Sequence, residues 1–200
     1  GSGAMGRVYR ADHLALDAQV AVKILNPEIA NDPLTARRFH TEARAASRLR
    51  HPNAIAILDF GQTETGSLYL VMELLRGRTL ARLCEEDKRL EVRRAVDLLG
   101  QALGALDEAH AAGIIHRDFK PENIFVETLR TGRELVKVLD FGIAKLRGEA
   151  EAGATSRGTV CGTPEYMSPE QVRGEELDPR SDVYAAGIVL YELVAARRPF

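Results

Sequence analysis

The amino-acid sequence predicts an α+β fold in which a small strand-rich part precedes a larger, mostly helical part. Residues 1 to 75 contain several apolar runs of strand length and one amphipathic helix at 34 to 50. Residues 91 to 112 repeat apolar positions at helical spacing, which predicts a long helix with Val92, Val96, Leu99, Leu103 and Leu106 on its inner face. Ser181 can cap a helix over residues 182 to 196, which are apolar on nearly every side, as is typical of a buried helix. Strands followed by helices favour the α+β class.

The composition is that of an ordinary globular protein. The 200 residues carry a formal net charge of −2, with 28% charged and 45% hydrophobic residues. No basic excess argues for nucleic acid, and no charge-free apolar stretch reaches eighteen residues, so no membrane span is predicted. Cys84 and Cys161 are far apart in sequence and fit no metal-ligand spacing, which indicates reduced thiols.

The first eleven residues combine a glycine-rich segment with a strand. Residues 1 to 6 read Gly-Ser-Gly-Ala-Met-Gly, and an alternating, strand-like run follows at 7 to 11. A glycine loop that leads into a strand is typical of a phosphate-covering loop, because a side chain there would block the approach of the backbone to phosphates. The alternative is that these six residues are a cloning remnant.

A lysine and a glutamate stand out because each interrupts an apolar pattern. Lys23 lies within the apolar strand at 19 to 25, where it either reaches the surface or points into a cleft. Glu42 lies on the apolar face of the helix at 34 to 50. A buried acid needs a partner, and Lys23 is the available one. The alternative places Glu42 at the edge of the face, in contact with water.

The densest group of polar residues lies at 114 to 126, between apolar pairs. Pro121 prevents a regular helix there, so the segment is predicted to be a rigid loop. A carboxylate, an ammonium group and an amide within six residues suit a site that positions a hydroxyl, a phosphate and a metal together. A plain polar surface loop is the alternative. The polar residues of this loop are His116, Arg117, Asp118, Lys120, Glu122 and Asn123.

Five motifs in order resemble the eukaryotic-type (Hanks-type) serine/threonine protein kinases, including the bacterial members. They are the glycine loop, Val-Ala-Val-Lys at 20 to 23, His-Arg-Asp-Phe-Lys-Pro-Glu-Asn at 116 to 123, Asp-Phe-Gly at 140 to 142 and Ser-Pro-Glu at 168 to 170. The resemblance covers essentially all 200 residues. Each motif is weak alone, but their joint occurrence in this order is specific.

The resemblance implies a bilobal protein-kinase-like fold. A small antiparallel β N-lobe with one regulatory helix, together with the hinge, would occupy residues 1–75, and a larger, mostly α C-lobe would occupy residues 76–200. We expect the chain to be a partial kinase domain, truncated at both ends. On that expectation Glu170 lacks its partner, the helix at 182 to 196 loses part of its cover, and the isolated chain is unstable or poorly active.

The same resemblance implies ATP and Mg²⁺ as cofactors, with Mn²⁺ as the alternative metal. Asn123 and Asp140 would supply the oxygen ligands of the metal. Met72 would stand at the back of the adenine pocket, with the hinge beginning at Glu73. The full set of nucleotide-binding residues would be Gly1, Gly3, Gly6, Val8, Ala21, Lys23, Met72, Glu73, Leu75, Asn123, Phe125 and Asp140.

For catalysis, the resemblance implies that Asp118 orients the substrate hydroxyl or accepts its proton. Lys120 would neutralise the transferred phosphoryl group, with a solvated lysine as the alternative. Lys23, oriented by Glu42, would hold the phosphates of ATP. Asp182 would be structural and accept hydrogen bonds from the backbone of the catalytic loop. His116 is also expected to be structural and to pack towards Phe141.

Regulation and substrate choice follow from the same resemblance. Arg117 is the feature of kinases that are activated by loop phosphorylation, and the candidate phosphosites are Thr155, Ser156 and Thr159. Autophosphorylation in trans, through a transient homodimer, is expected. Thr163 would lie in the substrate loop. Ile143, after Asp-Phe-Gly, predicts a preference for threonine over serine in protein substrates.

The expected role is signal transduction by a non-specific serine/threonine protein kinase whose catalytic domain is cytoplasmic, with membrane anchoring of the parent protein left open. Two rival functions predict different residues. A pseudokinase would lack at least one of Lys23, Asp118, Asn123 and Asp140, and all four are present. A kinase-like small-molecule phosphotransferase would lack the Pro-Glu motif and the threonine-bearing loop, and the chain has both.

Overall fold

The computed structural model describes residues 2–3, 6–15, 17–27, 32–87, 89–142 and 164–200. The strands are β1 Ser2–Gly3, β2 Gly6–His13, β3 Ala18–Leu25, β4 Ile57–Gln62, β5 Leu68–Glu73, β6 Gly77–Thr79, β7 Ile124–Thr128 and β8 Glu134–Val138. The α-helices are α1 Pro33–Ala46, α2 Leu80–Asp87, α3 Val92–Ala111, α4 Pro169–Arg173 and α5 Pro179–Ala195. Short 3₁₀ helices span Pro121–Asn123 and Pro164–Tyr166.

The first five strands form one antiparallel sheet in the order β1-β2-β3-β5-β4. The helix α1 packs its buried Phe39 and Ala43 into the apolar core of this sheet. The Asp32 side chain caps α1 by accepting hydrogen bonds from the backbone amides of Leu34 and Thr35. The predicted helix at 34 to 50 is confirmed, although its regular part ends at Ala46, four residues early.

The second part of the chain is helical around a three-stranded antiparallel sheet, in the order β6-β7-β8. Asn53, in the segment after α1, connects the two parts. Its side-chain amide donates hydrogen bonds to the backbone oxygen of Val136 at 2.8 Å and to Oε1 of Gln101 at 3.0 Å. These contacts tie the segment between α1 and β4 to α3 and to β8 of the second sheet.

The predicted α+β, bilobal kinase-like fold is confirmed. The predicted inner face of α3 is confirmed for Leu99 and Leu106 but is wrong for the other three residues. Val92, Val96 and Leu103 were expected inside and are 53%, 52% and 39% exposed. The buried face consists mainly of small residues together with three leucines. Small residues allow a close approach between helices, so the size of an apolar side chain on α3 does not predict whether it is buried. The buried residues are Ala95, Leu98, Leu99, Ala102, Ala105, Leu106 and Ala109.

The helix α5 begins three residues before the predicted start. Asp178 caps it through a hydrogen bond from the backbone amide of Arg180, so the predicted cap Ser181 lies inside the first turn. The helix is buried on one side only, because Val183 and Tyr191 are 58% and 38% exposed. Among the residues that the model describes, no helix is long and apolar enough to cross a membrane.

Candidate active site

Lys23 and Asp140 form an ion pair at the boundary between the two parts of the molecule. The Lys23 Nζ atom donates a hydrogen bond to Asp140 Oδ2 at 2.6 Å. Lys23 lies on β3, and the residue is only 7% exposed although it is charged. The lysine therefore points into the interior, as the second of the two sequence interpretations predicts.

Glu42, the partner that we predicted for Lys23, lies beside the Asp-Phe-Gly segment. Its Oε2 atom is 3.1 Å from the position that a Cβ atom on Gly142 would occupy. Gly142 has a φ of +73° and belongs to the Asp-Phe-Gly motif. Glu42 of α1 thus packs against Gly142 at the end of this motif, while Asp140 at its start pairs with Lys23.

Asp118 is held by two neighbours from its own loop. Lys120 Nζ is 2.9 Å from Asp118 Oδ1, and the Asn123 amide donates to Asp118 Oδ2 at 3.1 Å. The same amide donates to the backbone oxygen of Asp118 at 2.7 Å. The Pro121–Asn123 turn of 3₁₀ helix brings these side chains together, because it folds residue 123 back towards residue 118. The solvated interpretation of Lys120 is therefore wrong, since its side chain is only 14% exposed.

His116 is fully buried and anchors the loop from below. Its Nε2 atom lies 2.7 Å from the backbone oxygen of Leu139, and its Nδ1 atom accepts a hydrogen bond from the amide of Asp118 at 3.3 Å. A carbonyl oxygen can only accept, so this pair of bonds places the proton on Nε2. The ring packs edge-on against Phe119 and Phe141. The predicted structural role, with packing towards Phe141, is confirmed.

Asp182 fixes the other side of the catalytic loop. Its carboxylate accepts hydrogen bonds from the backbone amides of His116 at 2.8 Å and Arg117 at 2.9 Å, as predicted. His110 adds a third contact at 2.7 Å, which the sequence reasoning missed. Burial alone would raise the pKa of the Asp182 carboxyl. The hydrogen bond with His110 and the hydrogen bonds from the backbone amides of His116 and Arg117 outweigh burial and keep that pKa below its ordinary value.

Two residues of the site adopt left-handed backbone conformations that are uncommon for residues other than glycine. Arg117 has a φ of +69° and Asp140 a φ of +58°. The Arg117 carbonyl accepts a hydrogen bond from Gln171 on α4 at 2.7 Å. The buried Nε atom of Arg117 has no hydrogen-bond partner among the described residues. Strained backbone at two residues of one site is a feature of functional sites, where the surrounding contacts hold it in place.

The donor set of Asn123 and Asp140 fits a hard divalent cation. The hydrogen bonds that Asn123 makes to Asp118 use its amide nitrogen, so its side-chain carbonyl oxygen is the atom left for a cation. The backbone amide of Leu139 donates to the Asn123 backbone oxygen at 2.9 Å, which places Asp140 next to Asn123. Carboxylate and carbonyl oxygens are the ligands that Mg²⁺ prefers, and it takes few of them from protein.

Four of the residues predicted to bind the nucleotide occupy neighbouring places in the first sheet. Val8 pairs with Lys23 and Ala21 pairs with Met72, so the four residues lie across three adjacent strands. Met72 is buried. Leu75 packs against the core of this sheet, and Phe125 lies on β7 in the second sheet.

Two predicted nucleotide residues have structural roles that the sequence did not indicate. A Cβ atom on Gly6 would lie 2.1 Å from the backbone oxygen of Ile24, so the pairing of β2 with β3 requires glycine at this position. The Glu73 side chain accepts a hydrogen bond from the Ala56 amide and forms an ion pair with Lys137 on β8, both at 2.8 Å. That ion pair joins the first sheet to the second.

The Ser-Pro-Glu motif starts α4 with a capping box between Ser168 and Gln171. Glu170, which we expected to be unpaired, accepts a hydrogen bond from the Ser181 hydroxyl at 2.6 Å. This bond holds the pKa of the Glu170 carboxyl below its ordinary value. The early start of α5 explains the difference, because it turns Ser181 towards α4.

Some predicted residues lie outside the described ranges. Gly1 is one of them, and Gly3 is described only as part of β1. Ile143 and the four regulatory or substrate-loop residues also lie outside. These four are Thr155, Ser156, Thr159 and Thr163.

The fold and this arrangement of an ion-paired lysine, a catalytic-loop aspartate and an Asp-Phe-Gly segment define a protein-kinase-like catalytic domain. The chain belongs to the protein kinase domain family, whose family model matches residues 1–200. Its relatives place it among the bacterial serine/threonine protein kinases.

Three comparisons illustrate this membership. The serine/threonine-protein kinase pkn3 of Myxococcus xanthus is 51% identical over 202 residues, which cover 100% of this chain and 37% of the relative. PknB of Mycolicibacterium smegmatis is 43% identical over 203 residues, which cover 100% of this chain and 32% of the relative. The chain therefore spans about a third of the length of these two proteins. The crystal structure of the Mycobacterium tuberculosis PknI kinase domain superimposes with a TM-score of 0.80 at 29% identity, covering 100% of this chain and 73% of that structure.

Proposed function

We propose that this domain transfers the γ-phosphate of ATP to serine and threonine hydroxyls of protein substrates. The observation that carries the proposal is the geometry around Asp118. Its carboxylate is fixed by Lys120 at 2.9 Å and by Asn123 at 3.1 Å, and it remains 19% exposed. A carboxylate that is rigidly held and still accessible suits the orientation of an incoming hydroxyl group.

Each charged residue of the site has a part in this proposal. Asp118 accepts a hydrogen bond from the substrate hydroxyl and directs its oxygen towards the phosphate. Lys120 brings a positive charge next to the reacting oxygens, where negative charge accumulates during transfer. Lys23 holds the phosphates of the nucleotide, and Asp182 keeps the loop in its strained conformation. Phosphoryl transfer asks mainly for such positioning and charge neutralisation.

Asn123 and Asp140 would hold the divalent cation, which we propose to be Mg²⁺, with Mn²⁺ as a substitute. The metal, when bound, would neutralise charge on the phosphates of ATP. Both residues are fixed independently of a metal, Asn123 by Asp118 and Asp140 by Lys23.

The test of this function is phosphate transfer from ATP to a generic protein substrate by the wild-type protein and by Asp118→Asn. We expect the substitution to lower kcat by about 10²- to 10⁴-fold, the range for loss of a positioned acid or base. Asp107→Asn is the matched control, because Asp107 is an exposed aspartate on α3. Equal transfer by wild type and Asp118→Asn would reject the mechanism.

Activation by autophosphorylation in trans, through a transient homodimer, is part of the same proposal. Support comes from Arg117, whose Nε atom is buried beside Asp118 without a partner among the described residues. A phosphothreonine would offer three acceptor oxygens to such a group. The proposed acceptors are Thr155, Ser156 and Thr159.

Wild-type protein incubated with ATP and an excess of Asp118→Asn protein should phosphorylate this segment of the inactive variant. A bare segment in both proteins would argue against this mode of activation.

We further propose that threonine is preferred over serine, on the basis of Ile143. A peptide pair that differs only in Ser versus Thr tests this preference, and faster transfer to serine would refute it.

We place the catalytic domain in the cytoplasm, where ATP is supplied, and assign it to signal transduction. Membrane anchoring of a longer parent chain stays a prediction, and the matched region covers only 37% of a relative such as pkn3.

A further inference from the structure

Arg198, which follows α5, contacts side chains from two elements, the 3₁₀ helix Pro164–Tyr166 and α5 itself. Its Nη1 atom is 2.8 Å from Glu165 Oε1, and its Nε atom is 3.3 Å from Glu192 Oε1. Its guanidinium carbon lies 5.2 Å from the centre of the Tyr166 ring, within the range of a cation–π contact. One arginine therefore links the end of α5 to the 3₁₀ helix Pro164–Tyr166.

Tyr166 is the buried centre of this group. It is 4% exposed, and its hydroxyl donates to Glu192 Oε2 at 2.5 Å. Burial, followed by the Glu192 carboxylate, raises the pKa of this phenol, so the hydroxyl stays protonated and able to donate. Glu192 thus binds Tyr166 with one oxygen and Arg198 with the other, which fixes the tyrosine relative to α5.

The position of Tyr166 connects this group to the catalytic loop. On one side the tyrosine borders a cavity of about 230 Å³ that is also lined by Arg198, Pro121 and Glu122. On the other side it borders a small crevice lined by Arg117 and Asp118. The ring is therefore part of the wall next to the carboxylate that would receive the substrate hydroxyl.

We infer that Arg198 is a positioning residue for the protein substrate, and that it acts by holding the Pro164–Tyr166 segment beside Asp118. The inference rests on the proposed kinase function. A planar guanidinium can contact two carboxylates and stack on a ring at once, whereas an ammonium group acts as a single point charge. Without Arg198 the carboxylates of Glu165 and Glu192 would lose their shared cation, and the hydrogen bond from Tyr166 to Glu192 would be the remaining hydrogen bond between the segment and α5 among the described residues.

The test compares Michaelis constants for a peptide substrate and for ATP in the wild type and in Arg198→Ala. We expect the peptide KM to rise by about five- to tenfold, since one cation–π contact and two partly exposed ion pairs are lost. The KM for ATP should stay within about twofold, because Lys23 and Asp140 are not part of the cluster. Arg198→Lys should restore only part of the peptide affinity.

Two further variants keep the inference testable if Arg198→Ala is poorly folded. Glu165→Gln removes one contact of Arg198 from an exposed position and should raise the peptide KM in the same direction by a smaller factor. Arg180→Ala is the matched control, because this exposed arginine pairs with Asp178 at the opposite end of α5 and should change neither constant.

An unchanged peptide KM in both Arg198→Ala and Glu165→Gln would overturn the inference. A parallel rise of both Michaelis constants, together with a lower melting temperature, would also overturn it, because that pattern means a general structural role. Absence of transfer by the wild-type protein would instead contradict the proposed function itself. The two failures are therefore distinguishable.

Discussion

The Nζ atom of Lys23 and the Oδ2 atom of Asp140 lie 2.6 Å apart, although 117 positions separate the two residues in the sequence. Lys23 belongs to the middle of the first sheet, and Asp140 follows the last strand of the second sheet. The ion pair thus links the parts of the molecule that would contribute the phosphate-binding and metal-binding groups. The mutual attraction keeps each charge in place in a largely desolvated setting.

Replacement of Lys23 by methionine should abolish phosphate transfer. Methionine fills a similar volume but leaves the Asp140 carboxylate without its cation and removes the positive charge proposed to bind ATP. We expect at least a 10²-fold loss of kcat/KM for ATP, about the effect of losing one well-placed electrostatic group. Arg44→Ala, an exposed position on α1, is the control and should retain full activity. Activity of Lys23→Met within a few-fold of wild type would contradict this role.

The contribution of Asp182 to stability should depend on pH in a defined direction. Its folded-state pKa is lowered, so its stabilising effect is complete above the unfolded pKa of about 4 and is lost as the pH falls through the folded value. We expect Asp182→Asn to lower the free energy of unfolding by about 2–3 kcal/mol at pH 7, because three hydrogen bonds to a buried carboxylate are weakened.

Urea unfolding of wild type and Asp182→Asn between pH 3 and pH 8 measures this effect. The difference in free energy should be constant from pH 8 to about pH 5 and should narrow below about pH 4. A difference that does not change with pH, or that grows on acidification, would show that the carboxylate charge is not what stabilises the loop.

The ion pair between Glu73 and Lys137 should matter more for stability than an exposed pair. The Lys137 side chain is 12% exposed and lies 2.8 Å from Glu73 Oε1, whereas Arg82 is 69% exposed in its pair with Glu86. Lys137→Met should lower the free energy of unfolding by about 1–2 kcal/mol, and Arg82→Ala by at most about 0.5 kcal/mol. Urea denaturation at pH 7 measures the free energy of unfolding of both variants. An equal loss in the two would contradict this prediction.

Cys84 should be an unreactive thiol at neutral pH. Burial, together with the charges of Glu192, Asp87 and Glu122, raises the pKa of Cys84 to about 11. In a Cys161→Ser background, iodoacetamide should label Cys84 about 100-fold more slowly at pH 7.5 than a thiol in a short peptide, because the thiolate is the nucleophile. The labelling rate, followed by intact mass, should keep rising up to about pH 11. Labelling at the peptide's rate would contradict this.

The parts of the site that could be predicted from sequence are those built from residues close together in the chain. Asp118, Lys120 and Asn123 meet because six residues and one proline leave few ways to fold the loop. The role of Asp182 was also predicted, but only through the family resemblance, since nothing local indicates its reach to the amides of His116 and Arg117. The third contact of Asp182 is with His110 on α3, and nothing in the sequence indicates that contact.

The errors have a common physical origin in contacts between distant elements. The contact between Lys23 and Asp140 was not predicted, because it depends on the end of β8 bringing together two residues that are 117 positions apart in the chain. The inner face of α3 was judged by its large residues, although alanines such as Ala102 and Ala105 are the ones that allow close packing. Hydrophobic periodicity locates a helix well but does not say which neighbour covers which side.

The most direct test of the central claim is to follow the γ-phosphate itself. ATP labelled with ¹⁸O in the γ-phosphate is incubated with the protein and a generic protein substrate, and the products are identified by mass spectrometry. The account predicts labelled phosphate on serine and threonine side chains, reduced at least 10²-fold by Asp118→Asn. Label that appears only in inorganic phosphate or on a small molecule, or transfer that Asp118→Asn leaves intact, would contradict it.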